Sequence, residues 1–332
     1  MSCRVSIAWA LVWSAFCVSA PAVLAATHTW IPGGFPGQPY WGHGENWSTG
    51  TIPNASDAIV VFDASTDPSY AVNTHPSPDP PNDYKINEMR VESSSTWRFY
   101  NVHRDLNFTS AGGPARLTQN GSGSVEFDFD PIMTADLVVG GTGSGTIRVQ
   151  GSQSVYSPGH GPRSGMRGPG GLTKNGGFDL YIENVAGYQG PTEINEGRVL
   201  FDAESAEPVF GEDEVVYLPL TMAAVSVNDG GTLGGTGILR APVTVHDGGT
   251  LAPGDSPGIL TVDSLTLNSG STTEIELGGT TPGDSSSNHD QVVVTGQASL
   301  GGTLDLAPTG GYTPAKGDSY RIMEYGSLDP AA

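Results

Sequence analysis

Val225-Ser-Val-Asn-Asp-Gly-Gly-Thr-Leu233 returns almost at once as Val243-Thr-Val-His-Asp-Gly-Gly-Thr-Leu251. A repeat this short marks a chain wound from units that cannot bury a core alone. In each copy two valines flank one polar residue, the alternation of a strand with one buried face. Asp-Gly-Gly then turns the chain, because glycine reaches backbone angles closed to other residues. Thr-Leu restarts an extended segment. Strand, tight corner and strand, all before the next copy begins, make one coil of a β-solenoid. A hairpin array needs two equal strands around a two-residue turn, which neither copy has.

The same pattern spreads from this stretch in both directions. Downstream, Leu265/Leu267, Ile275/Leu277, Val292/Val294 and Leu304/Leu306 join Val225/Val227 and Val243/Val245 as inward pairs. Ser226, Thr244, Thr266, Glu276, Val293 and Asp305 lie between them and point outward by parity. Upstream, Leu117-Thr-Gln-Asn-Gly-Ser-Gly-Ser-Val125-Glu-Phe127 is echoed by the stretch from Leu172 to Ile182. Between these echoes, Asp136 to Val149 is another strand pair with a glycine corner. Gly is 47 of 332 residues and Pro 25, spaced between aliphatic pairs instead of gathered into tracts. No long stretch after residue 26 has helical periodicity. The expected fold is all-β, a right-handed parallel β-helix (β-solenoid) whose strands stack roughly 4.8 Å apart. At roughly 20 to 24 residues per coil, about 300 residues predict a rod on the order of 60 Å long.

Residues 1–26 read as a secretory signal peptide: Arg4, an apolar run from Ile7 to Val18, and a small-residue cleavage site at Val23-Leu-Ala25. The run is too short for a spanning helix. Both cysteines, Cys3 and Cys17, fall inside it, so the mature chain is expected to have no disulfide, thiolate or sulfur ligand. The formal charge is −21, with lysine only at 85, 174 and 316. A chain this acidic repels nucleic acid and anionic membrane surfaces, and its charge favours solubility and discourages strand edges from pairing between molecules.

Residues 27–72 form an N-terminal cap and first coils, and 73–332 the β-helix proper. Trp30, Trp41 and Trp47 suit a plug over the first coil, whose core and strand edges are otherwise open. Exposed, the same rings would offer a sugar-stacking platform. Loop excursions are expected near 73–84, where four prolines cluster, and near 157–171, which has six glycines and three prolines.

A family resemblance rests on particular residues. Gly170-Gly-Leu-Thr-Lys-Asn-Gly-Gly-Phe-Asp-Leu-Tyr-Ile and then Gly187-Tyr-Gln-Gly-Pro-Thr-Glu-Ile-Asn-Glu-Gly-Arg-Val-Leu200 resemble the autotransporter-associated β-strand repeat. Gly231-Thr-Leu-Gly-Gly-Thr-Gly237 and Leu251 to Val262 are similar to the C-terminal passenger stretch of such proteins. Asn46-Trp-Ser and Pro53-x-x-x-Asp57 resemble the start of exported bacterial β-helix proteins that carry such repeats. The resemblance spans about two thirds of the chain and implies a right-handed parallel β-helix passenger, displayed on a Gram-negative-type cell or shed from it. No run of alternating strands reads as the translocator barrel such proteins carry, so self-transport and insertion into a membrane by this chain are not expected.

Parallel β-helices also house polysaccharide lyases and hydrolases. Glycoside hydrolysis needs two carboxylates facing one cleft. Gly159-His160-Gly161 resembles a short polygalacturonase motif, but the paired aspartates expected before it are missing; Asp128 and Asp130 flank Phe129 in a strand. Asp284, Asp290 and Asp305 read as solvated corner acids, with no Lys or Arg between Arg240 and Lys316 to complete a lyase site. Gly140-Gly-Thr-Gly-Ser-Gly145 lacks the Lys-Ser/Thr and helix of a phosphate loop, so it is a corner. The histidines at 28, 43, 75, 103, 160, 246 and 289 have no ligand spacing, and His246 stands where the sister coil has Asn228. The expected protein is an exported, non-enzymatic structural solenoid or adhesin without catalytic, cofactor or metal residues. Its partners are surface polysaccharide or a host or neighbouring cell's surface. The alternative is a carbohydrate-binding or polysaccharide-degrading β-helix using the three tryptophans or the 157–171 loop.

Overall fold

A computed structural model of the chain describes residues 25–31, 40–63, 72–73, 84–100, 106–129, 131–151, 165–210 and 215–330. The signal segment therefore lies almost wholly outside the described residues. So do most of the 73–84 excursion, the first half of the 157–171 loop, and His75, His103, Asp130 and His160.

Successive coils stack as parallel strands in register, giving the parallel β-solenoid expected from the repeat. One inward column runs His28, Val60, Met89, Leu117, Val139, Lys174, Ile194, Val227, Val245 and Leu267. A second runs Trp97, Val125, Ile147, Leu180, Val199, Leu233, Leu251 and Thr273. Every member of both columns is buried. The second valine and the leucine of each doubled copy belong to these columns, and Asn228 or His246 turns the corner between them.

That corner has a ladder of its own. Asn195 Nδ2 donates to Asn175 Oδ1 at 2.9 Å, and Asn228 Nδ2 donates to Asn195 Oδ1 at 2.7 Å. His246 takes the next rung and meets Asn268 Nδ2 at 3.4 Å. The histidine therefore has the turn role that its exchange with Asn228 predicts. Gly140–Gly145 is likewise a corner. Gly121 lies against Ser93 and Gly143 against Gly121, while Gly123 lies against Ser95 and Gly145 against Gly123.

The N-terminal end is plugged as anticipated. Trp30, Trp41 and Trp47 are at most 2% exposed, with Trp47 ring centroids 5.1 Å from Trp30 and 4.8 Å from Trp41. Trp47 Nε1 donates to Trp41 O, and Trp41 Nε1 to Pro53 O. Phe62, Trp97, Phe99 and Phe127 carry this aromatic packing into the following coils. From Leu180 onward the core is mainly aliphatic.

Four features depart from the sequence reading. Coil length is far from uniform: one step of the first inward column runs from Val227 to Val245, another from Val139 to Lys174 with nearly twice as much chain. The same strand stack climbs two further steps, Leu265 to Ala298 and Ala298 to Leu328, so its eleven steps at roughly 4.8 Å each rise about 53 Å, near the anticipated length although the long coils spend residues on loops. The 157–171 excursion has rejoined the stack by Arg167–Gly168, which pairs with Gly187 and Tyr188. The far end of the strand Gly197–Phe210 leaves the stack to pair antiparallel with Val215–Pro219, the single antiparallel pairing of two strands among the described residues. Finally, Leu304 and Leu306 keep inward register with Thr273 and Ile275 yet are 49% and 48% exposed. Among the described residues, no coil stacks on their far side.

Candidate interaction face

The carboxylates of this acidic chain do much of the fastening between coils. Asp136 Oδ1 accepts from Gly171 N at 2.8 Å, Asp202 Oδ1 from Thr236 N at 2.8 Å, and Asp247 Oδ1 from Gly270 N at 2.8 Å. Each bond joins one coil to another. Arg98–Asp128, Arg148–Glu183 and Arg240–Glu204 also run between coils. Asp128, a catalytic candidate only if paired with Asp130, is thus taken by Arg98.

Asp290 overturns its reading as a solvated corner acid. It is 1% exposed, while Asp284 and Asp305 are exposed as expected. One Asp290 oxygen accepts from Gly258 N and the other from Glu276 N, both at 2.6 Å. Burial pushes this carboxyl up to about 6 against the pull of the two amide donors, and Glu276 and Glu274 add to the rise. Beside it, His289 is fully buried, its ring nitrogens facing Gly279 O and Arg321 O. The alternation that placed Val292 and Val294 inward contains no signal for a buried acid just before them.

A pH dependence follows from this shift. Between 3.8 and about 6 the folded state binds a proton that the unfolded state has released, so stability is greatest below that window and falls as pH rises through it. In urea denaturation, the stability of wild type relative to Asp290→Asn is expected to decline by about 1.4 kcal/mol per pH unit across the window. A gap that stays constant from pH 4 to 7 would refute the assignment.

Polar residues line up in outward columns on the described coils. Asp179, Arg198, Thr232, Thr250, Thr272 and Thr303 occupy the same outward register position in six successive coils. Arg198 makes a two-point pair with Asp179, both contacts at 3.2 Å, and approaches Asp255 at 3.8 Å. Burial first, then the Asp202 charge, raises the Asp255 carboxyl above its ordinary value. Beside this cluster, Tyr181 and Leu200 point outward by parity yet are only 7% and 1% exposed. The Arg148 guanidinium lies 3.7 Å from the Tyr181 ring centroid and covers it. A parallel rank of hydroxyls, Ser226, Thr244, Thr266 and Ser299, runs along the neighbouring strands across the Asn/His corner. Sequence reading found the outward parity of Ser226, Thr244 and Thr266. It missed the threonine column, because coils of unequal length hide which threonines fall into line.

The remaining candidates do not assemble. The three N-terminal tryptophans pack against one another and leave no ring face for a sugar. Among the described residues, no three of His, Asp and Glu are grouped so as to hold a metal ion. Nor is any described helix long and apolar enough to cross a membrane. Comparison with known proteins gives no matching family model, no matching curated protein and no matching solved structure.

Proposed function

We propose that this chain is an exported, non-enzymatic β-solenoid that serves as an extracellular or cell-surface structural protein or adhesin. One observation carries this reading: many carboxylates and the corner asparagines of the described coils are committed to joining one coil to another. Asp136, Asp202, Asp247 and Asp290 hold backbone amides of other coils, and the asparagines form a corner ladder. Acids spent on amides and arginines are poorly placed to act as general acid or base, which needs a free, positioned proton carrier. The result is a stiff rod with a regular outer surface, an architecture suited to extended contact.

The full chain, expressed with its own N-terminus in a Gram-negative host, is expected in the periplasm or medium, shortened near residue 26. Purified, it should coat bacterial cells or surfaces and release no reducing sugar from pectin or glucans. Retention in the cytoplasm at full length, or release of sugar, would overturn the proposal.

A further inference from the structure

We infer that the column Asp179, Arg198, Thr232, Thr250, Thr272 and Thr303 is a binding face for a linear, uncharged polysaccharide lying along the solenoid axis. The inference rests on the extracellular reading above and names the partner that such a rod would meet.

The threonine hydroxyls supply the first argument. Thr134, Thr146, Thr192 and Thr236 all use their hydroxyls within the protein. Those of Thr232, Thr250, Thr272 and Thr303 make no hydrogen bond among the described residues, and all four side chains reach solvent. Strand propensity accounts for a threonine at any one of these places. The parallel rank Ser226, Thr244, Thr266 and Ser299 likewise makes no side-chain hydrogen bond among the described residues, so this column is set apart by its junction with the charged Asp179–Arg198 pair. A hydroxyl both donates and accepts, as the hydroxyls of a sugar do, so each rung matches a sugar edge in either polarity.

Spacing supplies the second argument. Rungs of a parallel stack recur at roughly 4.8 Å, about one rung per sugar of an extended chain. The core beneath fixes that repeat, so the hydroxyls are held in line before a ligand arrives, which lowers the entropic cost of binding.

Charge narrows the class. Arg198, the cation of the column, is already met by Asp179 and Asp255. The chain as a whole carries −21. A polyanion such as pectate would meet no free cation in this column and would be repelled by the surrounding field. An uncharged chain meets neither obstacle, and the Arg198–Asp179 pair offers it a donor and acceptor at one end of the rank.

The test uses the full chain and the Thr232→Val, Thr250→Val, Thr272→Val triple variant, which keeps shape and β-branching while deleting three hydroxyls. Affinity electrophoresis through gels containing a β-glucan, xylan, mannan or polygalacturonate reads binding; circular dichroism and urea denaturation confirm the fold. Retardation of wild type by at least one neutral polymer is expected, weakened about tenfold or more in the variant, with its denaturation midpoint little changed. Failure of every neutral polymer to retard wild type would overturn the inference, as would equal retardation of wild type and variant or retardation by polygalacturonate alone. Cell coating measured on the same preparations keeps the two proposals apart. Coating without glycan retention defeats this inference alone; absence of both defeats the adhesin reading as well.

Discussion

Gly121→Ala is expected to unfold the solenoid more readily than any other single added methyl in its corners. A Cβ at this position would sit 1.7 Å from Ser93 O and 2.6 Å from Ser93 C, in the neighbouring coil. Both obstacles are backbone, so no rotamer change relieves them, and separating the coils would break the ladder on either side. Overpacking of this kind costs about 3 kcal/mol or more. Gly112→Ala is the matched control: nothing lies within 4 Å of its added methyl, and its effect should stay within about 0.5 kcal/mol. The two are compared by urea midpoint. Equal midpoints would show that the coils are not stacked as closely as described.

Lys174→Met carries the second large effect. Lys174 is a lone lysine in a column of mainly aliphatic residues, fully buried between Val139 and Ile194. Its Nζ donates to Asn175 O at 3.3 Å, Gly176 O at 2.6 Å and Glu196 O at 3.1 Å, and lies 4.0 Å from the Phe178 ring centroid. The ammonium thus caps corner carbonyls of two coils. Methionine fills the column but leaves the three oxygens without this donor, at a cost of about 3 kcal/mol.

The lysine also titrates in a useful range. Burial pulls its pKa down to about 8 from 10.5, while Asp179 and Glu196 resist the fall. Between those values the unfolded chain holds more protons than the folded one, so wild-type stability rises with pH across the window. The charge-burial penalty is present in full below about pH 8 and relieved by 10.5. Relative to the methionine variant, wild type should gain about 1.4 kcal/mol per pH unit there. A difference that is flat with pH would mean the ammonium is not buried as described.

Much of this fold is legible in the sequence. Val225, Val227, Val243 and Val245 declare their faces by alternation, and Asp-Gly-Gly declares the corner, because both signals are local. The Trp30–Trp41–Trp47 plug is legible for a similar reason: large rings close together in sequence, beside an end that needs covering. Lys174 is not legible. It occupies an inward position with an outward residue's chemistry, and the carbonyls that satisfy it come from a corner and from Glu196 in the next coil. Asp290 is misread for the same reason, since its two amide partners, Gly258 and Glu276, lie far back along the chain. Leu304 and Leu306 show the reverse: parity gives their direction correctly, but burial also depends on what stacks beyond them. The threonine column combines both difficulties. Each threonine is ordinary where it stands, and only the register of coils of unequal length brings them into one line.

That inequality has a mechanical meaning. Val227 to Val245 and Val139 to Lys174 climb the same single step, although the second path uses nearly twice the chain of the first. Axial length is therefore set by the number of coils and is indifferent to residues added at the corners. Insertions can lengthen the chain without shifting any inward side chain from its column, because the register is restored each time a coil returns to the stack. Such a rod can gain or lose surface loops while its pitch, and anything aligned to that pitch, stays fixed.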